Sequence, residues 1–391
     1  MIKLFYVLLL PEDIPLFKKI FKAITRYIRY TDKMTLLLCM CCSVLSVVLI
    51  EGMLNSNMPY VYPRHIPVQI IAAAIGLILA IITSCIDYHI IAKLWQLYVP
   101  VSILLVLLTF FIGTQRGEAD DKAWLPLPFG LSLQPSELMK IAFIMTFSQH
   151  LNKVKEKINS IFQVFLLGIH GLIPISLVMM QGDDGTMLIF CLIFLSMLFA
   201  AGIDWKYILT AVVAACVAVP FVWEYVLSND QRIRFAIILD LESDPLGKGF
   251  QQLEGLTALG AGKLMGNGIF SGDHWWTPEI HNDFIFVFIG QSLGFVGCIA
   301  VIAILMVIMM RFLVAAHKAA DDMGRFICIG VFAMFAFQAI FNIGMCLSVL
   351  PVIGLTLPLI SAGGTSVITS YLGIGLALSV VYHTRKPEFE R

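Results

Sequence analysis

The stretch WWTPEIHNDFIFVFIGQSLGFVG, residues 275–297, contains the transition that decides the fold. Its first half is polar and aromatic, and its second half, from Phe284 onward, is almost entirely apolar, as in a helix that crosses a membrane. The polar side chains of the first half are Glu279, His281, Asn282 and Asp283. They therefore lie where a water-facing loop enters the bilayer, and a cluster in that position is placed to act on the head group of a lipid.

The composition predicts an integral membrane protein. Of 391 residues, 59% are hydrophobic and 13% charged, and the mean hydropathy is +0.89, whereas soluble domains contain about 45–50% apolar and about 25% charged residues. The formal net charge of zero argues neither for nor against nucleic acid; we expect membrane lipids, and no nucleic acid, as partners. The nine cysteines form no CxxC pair, which indicates buried thiols rather than a zinc site or disulfides.

Apolar runs predict an all-α membrane protein of about ten transmembrane helices, because a span needs about 20 mostly apolar residues. The candidate spans are 35–53, 67–86, 90–112, 137–151, 161–180, 186–203, 206–226, 284–310, 325–347 and 355–382. The run 137–151 is the least apolar, because Glu137 and Lys140 lie at its start. We expect residues 35–391 to form a single polytopic domain.

The segment 1–34 has a different pattern. Apolar residues recur at helical spacing between Ile14 and Ile28, and lysines and arginines are interleaved with them. This pattern is typical of a basic amphipathic helix that lies on an anionic membrane surface. We therefore expect a cytoplasmic arm ahead of the membrane domain.

Lysine and arginine collect in alternate connections, which predicts that both termini lie in the cytoplasm. The connection 227–283, between the seventh and eighth spans, then faces outward. It is the only long connection, and long loops in compact domains are often functional. Its many glycines and leucines indicate short helices on the membrane surface, and we expect it to carry the active site.

Two other outward connections carry dense polar residues. In QPSE, residues 134–137, Pro135 and Ser136 begin a helix on which Glu137 and Lys140 share one face. These two residues either form an ion pair or leave Lys140 to contact an anionic ligand. In QGDDGT, residues 181–186, the adjacent carboxylates either form a turn or bind Mg²⁺ carried by a pyrophosphate.

The long connection adds two arginines, Arg232 and Arg234. Guanidinium groups recognise phosphate in a bidentate manner, although an arginine near lipid is often a simple head-group anchor. At the end of the same connection, Asp283 is placed to accept a proton from an attacking hydroxyl. In the closing spans, Asn342 needs a hydrogen-bond partner on another helix, and prolines and glycines break the helix near the outer rim, which implies a cavity there.

Six motifs, in one order along the chain, resemble the SEDS family (shape, elongation, division and sporulation), which includes RodA, FtsW and SpoVE. The resemblance covers about Gly113 to Leu378. The motifs are QPSE-x-x-K at 134–140, Q-x-D-x-G-T at 181–186, DPLG-x-GFQ at 244–251, a glycine series at 258–268, PE-x-H-x-DFIF at 278–286, and NIGM to GGTS at 342–366. Within the family, the resemblance favours an elongation-type, RodA-like member.

The resemblance implies a peptidoglycan glycosyltransferase that polymerises lipid II at the outer face of the cytoplasmic membrane. The essential acid of the family falls on Asp283, which would act as general base in an inverting displacement of undecaprenyl pyrophosphate. The substrate-binding candidates are Gln134, Ser136, Glu137, Lys140, Asp183, Arg232, Arg234, Glu279 and His281. A divalent metal, Mg²⁺ or Mn²⁺, would help to neutralise the leaving group, and the implied partner is a class B penicillin-binding protein.

The chain departs from the family pattern in places. Relatives usually have GEELG where this chain has Gln291 and Ser292 between Gly290 and Leu293, so a proton-handling role at that position is in doubt. Two other functions remain open. A lipid II flippase would line a path through the midplane with charge, whereas the acids here crowd the outer rim. A catalytically silent scaffold would not require the DFIF aspartate.

Overall fold

The computed structural model describes residues 25–114, 122–128, 131–241, 244, 247 and 249–385. The helices are α1 (Lys33–Asn55), α2 (His65–Cys85), α3 (Tyr88–Lys93), α4 (Trp95–Ile112), α5 (Pro135–Val154), α6 (Ile161–Met180), α7 (Asp184–Ala201), α8 (Trp205–Phe221), α9 (Asn229–Leu239), α10 (Phe250–Ala261), α11 (Ile285–His317), α12 (Asp322–Cys346) and α13 (Gly364–Arg385). The strands β1 (Leu125–Pro126) and β2 (Ser132–Leu133) form an antiparallel pair.

The all-α, multi-pass prediction is confirmed. Nine of the described helices are long and apolar enough to cross a membrane. The remaining predicted span, 137–151, becomes α5, which has 20 residues but a more polar composition, since it carries Glu137, Lys140 and Lys153. The predicted surface arm falls mostly on residues 1–24, outside the described residues; residues 25–30 are helical.

The helices near the carboxyl end form the interior of the bundle. In α12 and α13, 67% and 78% of the most apolar window is buried, so protein rather than lipid surrounds them. Polar side chains tie α13 and its preceding segment to α1 and α2: Ser43 Oγ lies 2.8 Å from Tyr371 Oη, and Gln69 Nε2 donates to Ser361 O at 3.2 Å. Hydrogen bonds of this kind between membrane helices hold them in register.

The helix α8 is the opposite of α12 and α13 in its burial. None of its residues is buried, and a short π-helix, Val222–Val226, continues it. An apolar groove of about 730 Å³ runs along it, lined by residues that include Leu209, Val213 and Phe221. The helix therefore offers an apolar surface that the described part of the protein leaves uncovered.

The helix α11 breaks at Gly294, which has φ 67° and ψ −167°. The segment that follows α10 restores the lost hydrogen bonds: Asn267 N and Gly268 N donate to Gln291 O and Ser292 O at 2.8 and 2.9 Å. On the other side of the break, Phe295 N donates to Lys263 O at 2.9 Å. The break is tolerated at membrane depth because protein backbone satisfies it.

We expect Gly294→Ala to destabilise the protein. A Cβ at this position would lie 2.4 Å from Gly266 N and 2.5 Å from Leu264 O, and the backbone angles are unfavourable for alanine. Strain and overpacking of this kind cost about 1–3 kcal/mol each. Thermal unfolding of the purified protein in detergent measures the effect.

The matched control is Gly168→Ala in α6, where nothing lies within 4 Å of an added Cβ. This control is expected to leave the melting temperature unchanged or to raise it, since alanine favours helix more than glycine does. Equal melting temperatures for the two variants would contradict the role assigned to the break.

Candidate active site

The loop that precedes α11 forms a tight turn around Glu279. This residue has φ 53°, in the left-handed region, and its carbonyl accepts from Asn282 N at 3.0 Å and from Phe284 N at 3.1 Å. Its side chain also takes part, since Asn282 Nδ2 donates to Glu279 Oε2 at 2.8 Å. Strained backbone of this kind persists where the surroundings hold it in place. The turn places Asp283 directly before the first turn of α11.

Asn342 fixes the backbone of Asp283. Its Nδ2 donates to Asp283 O at 2.8 Å and to Leu355 O at 2.7 Å, and the side chain is fully buried. Cys346 Sγ also lies 3.6 Å from Asp283 O. The sequence predicts that Asn342 joins two helices; instead it joins two irregular segments, because broken backbone offers the carbonyls that an intact helix would use itself.

The irregular segment 347–363 passes between the two acidic motifs. A Cβ added at Gly354 would lie 3.7 Å from Asp283 Oδ2, so the carboxylate faces this glycine. One residue earlier, Ile353 O would lie 2.2 Å from a Cβ at Gly185, in the QGDDGT motif. The two motifs, about a hundred residues apart in the sequence, therefore flank one stretch of backbone.

The second half of the segment 347–363 is buried, and the side chains of Leu355, Leu357, Leu359 and Ile360 anchor it. In its first half, Leu347, Val349 and Gly354 are exposed. Broken backbone is tolerated where protein or a water-filled cavity covers it, so the cavity at this rim stays a prediction.

Asp183 is a structural cap. Its Oδ1 accepts from Thr186 N at 2.9 Å, which caps the start of α7, and its Oδ2 accepts from Gln134 Nε2 at 2.8 Å. Burial raises the pKa of Asp183, against the effect of these hydrogen bonds and of the charge on Lys140. Of the two interpretations of QGDDGT, the turn is present. Its neighbour Asp184 accepts from Gln231 Nε2, which ties α7 to α9.

Lys140 and Glu137 form the ion pair expected from their spacing. The Nζ–Oε1 distance is 2.7 Å, and Lys140 is fully buried. Gln338 also accepts from Lys140 Nζ, at 2.8 Å, once its amide is oriented so that its nitrogen donates to Met334 O. Lys140 would reach a ligand only by giving up these partners. Ser136 is buried too, and its Oγ has no hydrogen-bond partner within the described part of the chain.

The two arginines of the long connection lie on α9, a helix, and so point to different sides of it. Arg234 Nη1 donates to Val352 O at 3.2 Å, two residues from the glycine that faces Asp283. Arg232 Nη2 instead donates to Glu224 O at 2.7 Å, beneath the end of α8, while its Nε is buried and unpaired among the described residues. The structure therefore brings Arg234 to the segment beside Asp283 and Arg232 to α8.

His281 and Glu279 occupy the rim of the site. The His281 ring stacks on His65, with centroids 4.8 Å apart and planes at 12°, and its carbonyl accepts from Ala362 N at 2.9 Å. Glu279 is exposed. Sequence reasoning missed His65, although its place at the end of an outward connection, directly before a span, is a signal of the same kind as that of His281.

Gln291 explains one departure from the family pattern. Its Nε2 donates to Trp275 O at 3.0 Å, and its Oε1 accepts from Trp275 N at 2.9 Å. This pairing needs both a donor and an acceptor, and an ionised glutamate has acceptors but no donor. In this chain the position therefore serves to hold the start of the DFIF loop.

The described residues contain no group of three or more His, Cys, Asp or Glu side chains that could hold a metal ion. Mg²⁺, however, is commonly bound by one or two carboxylates together with substrate phosphates. A metal ion held by one or two carboxylates and a substrate phosphate does not require a cluster of three side chains.

Comparisons with known proteins agree with this arrangement of motifs. A family model described as a cell cycle protein, for FtsW, RodA and SpoVE, matches residues 29–386. A probable peptidoglycan glycosyltransferase FtsW of Trichlorobacter lovleyi is 34% identical over 320 residues, which cover 80% of this chain and 82% of that protein. Peptidoglycan glycosyltransferase MrdB of Escherichia coli K12 is 33% identical over 298 residues, 74% of this chain and 78% of that protein. Because the chain is about equally similar to these two relatives, its assignment as an elongation-type, RodA-like member stays a prediction.

Solved structures share the fold. A chain of a peptidoglycan synthase complex, studied for the coordination of polymerization and crosslinking, matches 91% of this chain and 99% of its own length with a TM-score of 0.76 and 26% identity. The rod shape determining protein RodA of Thermus thermophilus matches 92% of this chain and 98% of its own with a TM-score of 0.67 at 23% identity. The chain therefore belongs to the FtsW/RodA/SpoVE family of peptidoglycan glycosyltransferases, which are multi-pass helical membrane proteins.

Proposed function

We propose that this enzyme polymerises lipid II at the outer face of the cytoplasmic membrane, with Asp283 as general base. The observation that carries the proposal is the placement of Asp283. Its backbone is held by Asn342 at the start of α11, and its carboxylate faces a glycine on the irregular segment 347–363. A carboxylate held by a rigid scaffold at the membrane rim is in the position required to take a proton from a lipid-bound sugar.

In the proposed step, Asp283 takes the proton from the 4-hydroxyl of the acceptor N-acetylglucosamine. The hydroxyl oxygen forms a bond to C1 of the donor N-acetylmuramic acid, and the bond from C1 to the pyrophosphate oxygen breaks. The electron pair of that bond leaves with undecaprenyl pyrophosphate, and the configuration at C1 inverts. The base is needed because a sugar hydroxyl is a weak nucleophile until it loses its proton.

The leaving pyrophosphate carries several negative charges, and Arg234, beside the segment that Asp283 faces, is placed to balance them. Arg234 has one nitrogen on Val352 O, which leaves other N–H groups of its fork for phosphate oxygens. Arg232, on another side of the same helix, is a second candidate for a phosphate contact, and its Nε has no partner among the described residues. Lys140 contributes a buried positive charge that is already shared with Glu137, and Ser136 Oγ offers a free hydroxyl within the described site.

A divalent metal, Mg²⁺ or Mn²⁺, bound to the lipid pyrophosphate would supply further positive charge. The acidic rim, Asp184 and Asp283, offers the one or two carboxylates that Mg²⁺ takes alongside substrate phosphates. The uncovered apolar face of α8 is a candidate surface for part of the polyprenyl tail.

The partner that we propose is a class B penicillin-binding protein, which would crosslink the strands made here. The similarity to a chain of a peptidoglycan synthase complex supports it. With the active site outside, both termini lie in the cytoplasm, in agreement with the distribution of lysine and arginine.

We expect Asp283→Ala to abolish polymerisation of lipid II while the protein still folds, since the substitution removes the base from a loop. The measurement is glycan formation by the purified enzyme in detergent, with the transpeptidase and with Mg²⁺ or Mn²⁺ added in turn. Asp273→Ala is the control, because Asp273 is exposed on the same connection. Polymer from the Asp283 variant would remove the residue from the role of base.

We expect Arg232→Ala to weaken the use of lipid II by at least about tenfold, because a charge-assisted bond to phosphate contributes roughly 1.5–3 kcal/mol. The readout is the rate at limiting lipid II, compared with the melting temperature. Arg29→Ala, which removes an exposed arginine on the opposite face, is the control. An unchanged rate with normal folding would assign Arg232 to head-group anchoring.

We expect Asn342→Leu to lower activity and stability together. The variant keeps a similar volume but leaves Leu355 O without its amide donor and Asp283 O with only the weak contact from Cys346 Sγ, and a buried unpaired carbonyl costs about 1–3 kcal/mol. Melting temperature and polymer yield are measured in parallel with Thr257→Val, which removes an exposed hydroxyl bonded within its own helix. Wild-type activity in the Asn342 variant would contradict its positioning role.

A further inference from the structure

A groove of about 590 Å³ lies at the end of the bundle opposite Asp283. Residues at the start of α1 and at the ends of α11 and α13 line it. The helix α11 runs from the proposed active site toward it. The proposed catalytic residues lie at the other membrane face. The groove is therefore a separate feature of the fold, and its lining combines charged and apolar side chains.

The positive charge at the groove is only partly balanced. Arg311 Nε donates to Asp32 Oδ2 at 2.6 Å, and a second nitrogen contacts Oδ1. Burial raises the pKa of Asp32, but the hydrogen bonds from Arg311 and Thr35 outweigh that effect and lower it, so the carboxylate stays ionised beside the guanidinium. This pair is neutral as a unit and forms one wall of the groove.

Two further cations, Lys318 and Arg385, line the groove and are exposed. Arg385 Nη1 donates to Thr31 O at 3.3 Å, a neutral acceptor. Among the described residues, neither cation has a carboxylate within ion-pair distance. Because the charges of Asp32 and Arg311 cancel, Lys318 and Arg385 leave the lining with a net charge of two positive units.

The other part of the groove is apolar and points into the membrane. Met306, Met310 and Val314 line it and lie four residues apart on α11, so they form one stripe along the helix. They are 53%, 52% and 49% exposed, which leaves the stripe open to lipid. A cationic mouth above an apolar stripe is the complement of a phospholipid with a negatively charged head group.

We propose that this groove binds one anionic phospholipid of the cytoplasmic leaflet. Its phosphate lies between Lys318 and Arg385, and an acyl chain follows Met306, Met310 and Val314. Basic pockets between membrane helices on the cytoplasmic side bind anionic head groups in this way. The leaflet depends on the orientation proposed above; binding itself depends on neither that orientation nor the reaction.

The experiment is native mass spectrometry of the full chain in detergent, delipidated and titrated with phosphatidylglycerol or phosphatidylcholine. We expect a first molecule of phosphatidylglycerol to bind at least about tenfold more tightly than phosphatidylcholine, since each basic side chain near a lipid phosphate favours the anionic lipid. Glycerophosphoglycerol, the head group without acyl chains, is expected to compete poorly, because it cannot use the apolar stripe.

The test variant is Lys318→Ala with Arg385→Ala, which is expected to abolish the preference. The control is Lys153→Ala with Lys157→Ala, which removes the same charge from exposed lysines at the same face. Lys318→Arg with Arg385→Lys keeps both charges and is expected to retain binding. A melting temperature for each variant excludes misfolding.

Three results would overturn the proposal. One is equal affinity of the wild type for the two lipids, and another is equal loss of binding in the test and control variants. The third is lipid binding that appears only after removal of residues 386–391, whose two glutamates would then be the occupants of the groove.

Discussion

The structure depends on one constraint: inside a bilayer every backbone N–H and C=O group must find a partner within the protein. Two stretches depart from regular helix, the break at Gly294 and the segment 347–363. The first is satisfied by backbone from 263–268, and the second by buried side chains such as Asn342 and Gln252. Each departure is possible because another part of the chain supplies the missing hydrogen bonds.

The same satisfied breaks form the proposed active site. Asn342 has two donors, and it uses them to join the residue that carries the carboxylate to the segment that the carboxylate faces. Gln291 likewise pairs with both polar groups of Trp275 at the start of the DFIF loop. The proposed base is therefore held in place by two amide side chains whose hydrogen bonds go to backbone groups. Rigid support of this kind lowers the cost of orienting the reacting groups.

The sequence predicts the helices and the order of motifs well, because the period and length of apolar runs depend on local residues alone. It does not predict which motifs meet. The contact of Ile353 with Gly185, and that of Gly354 with Asp283, join residues far apart in the chain through backbone rather than through a pattern of side chains. The burial of Lys140 has the same origin: spacing predicts the pair with Glu137, but only packing of α12 brings Gln338 to it.

The buried ionisable groups also bear on how the lipid is used. Lys140 is paired with Glu137 near the start of α5, and near its end His150 Nδ1 lies 3.0 Å from His170 Nδ1, whose ring packs against Phe147. These ionisable groups are paired with one another within the bundle rather than left open to a passing head group. The acids of the SEDS motifs, by contrast, collect at one rim and the unbalanced cations of the groove at the opposite face. Charge arranged in this way favours chemistry on lipid at one surface and attachment to lipid at the other over transport between them.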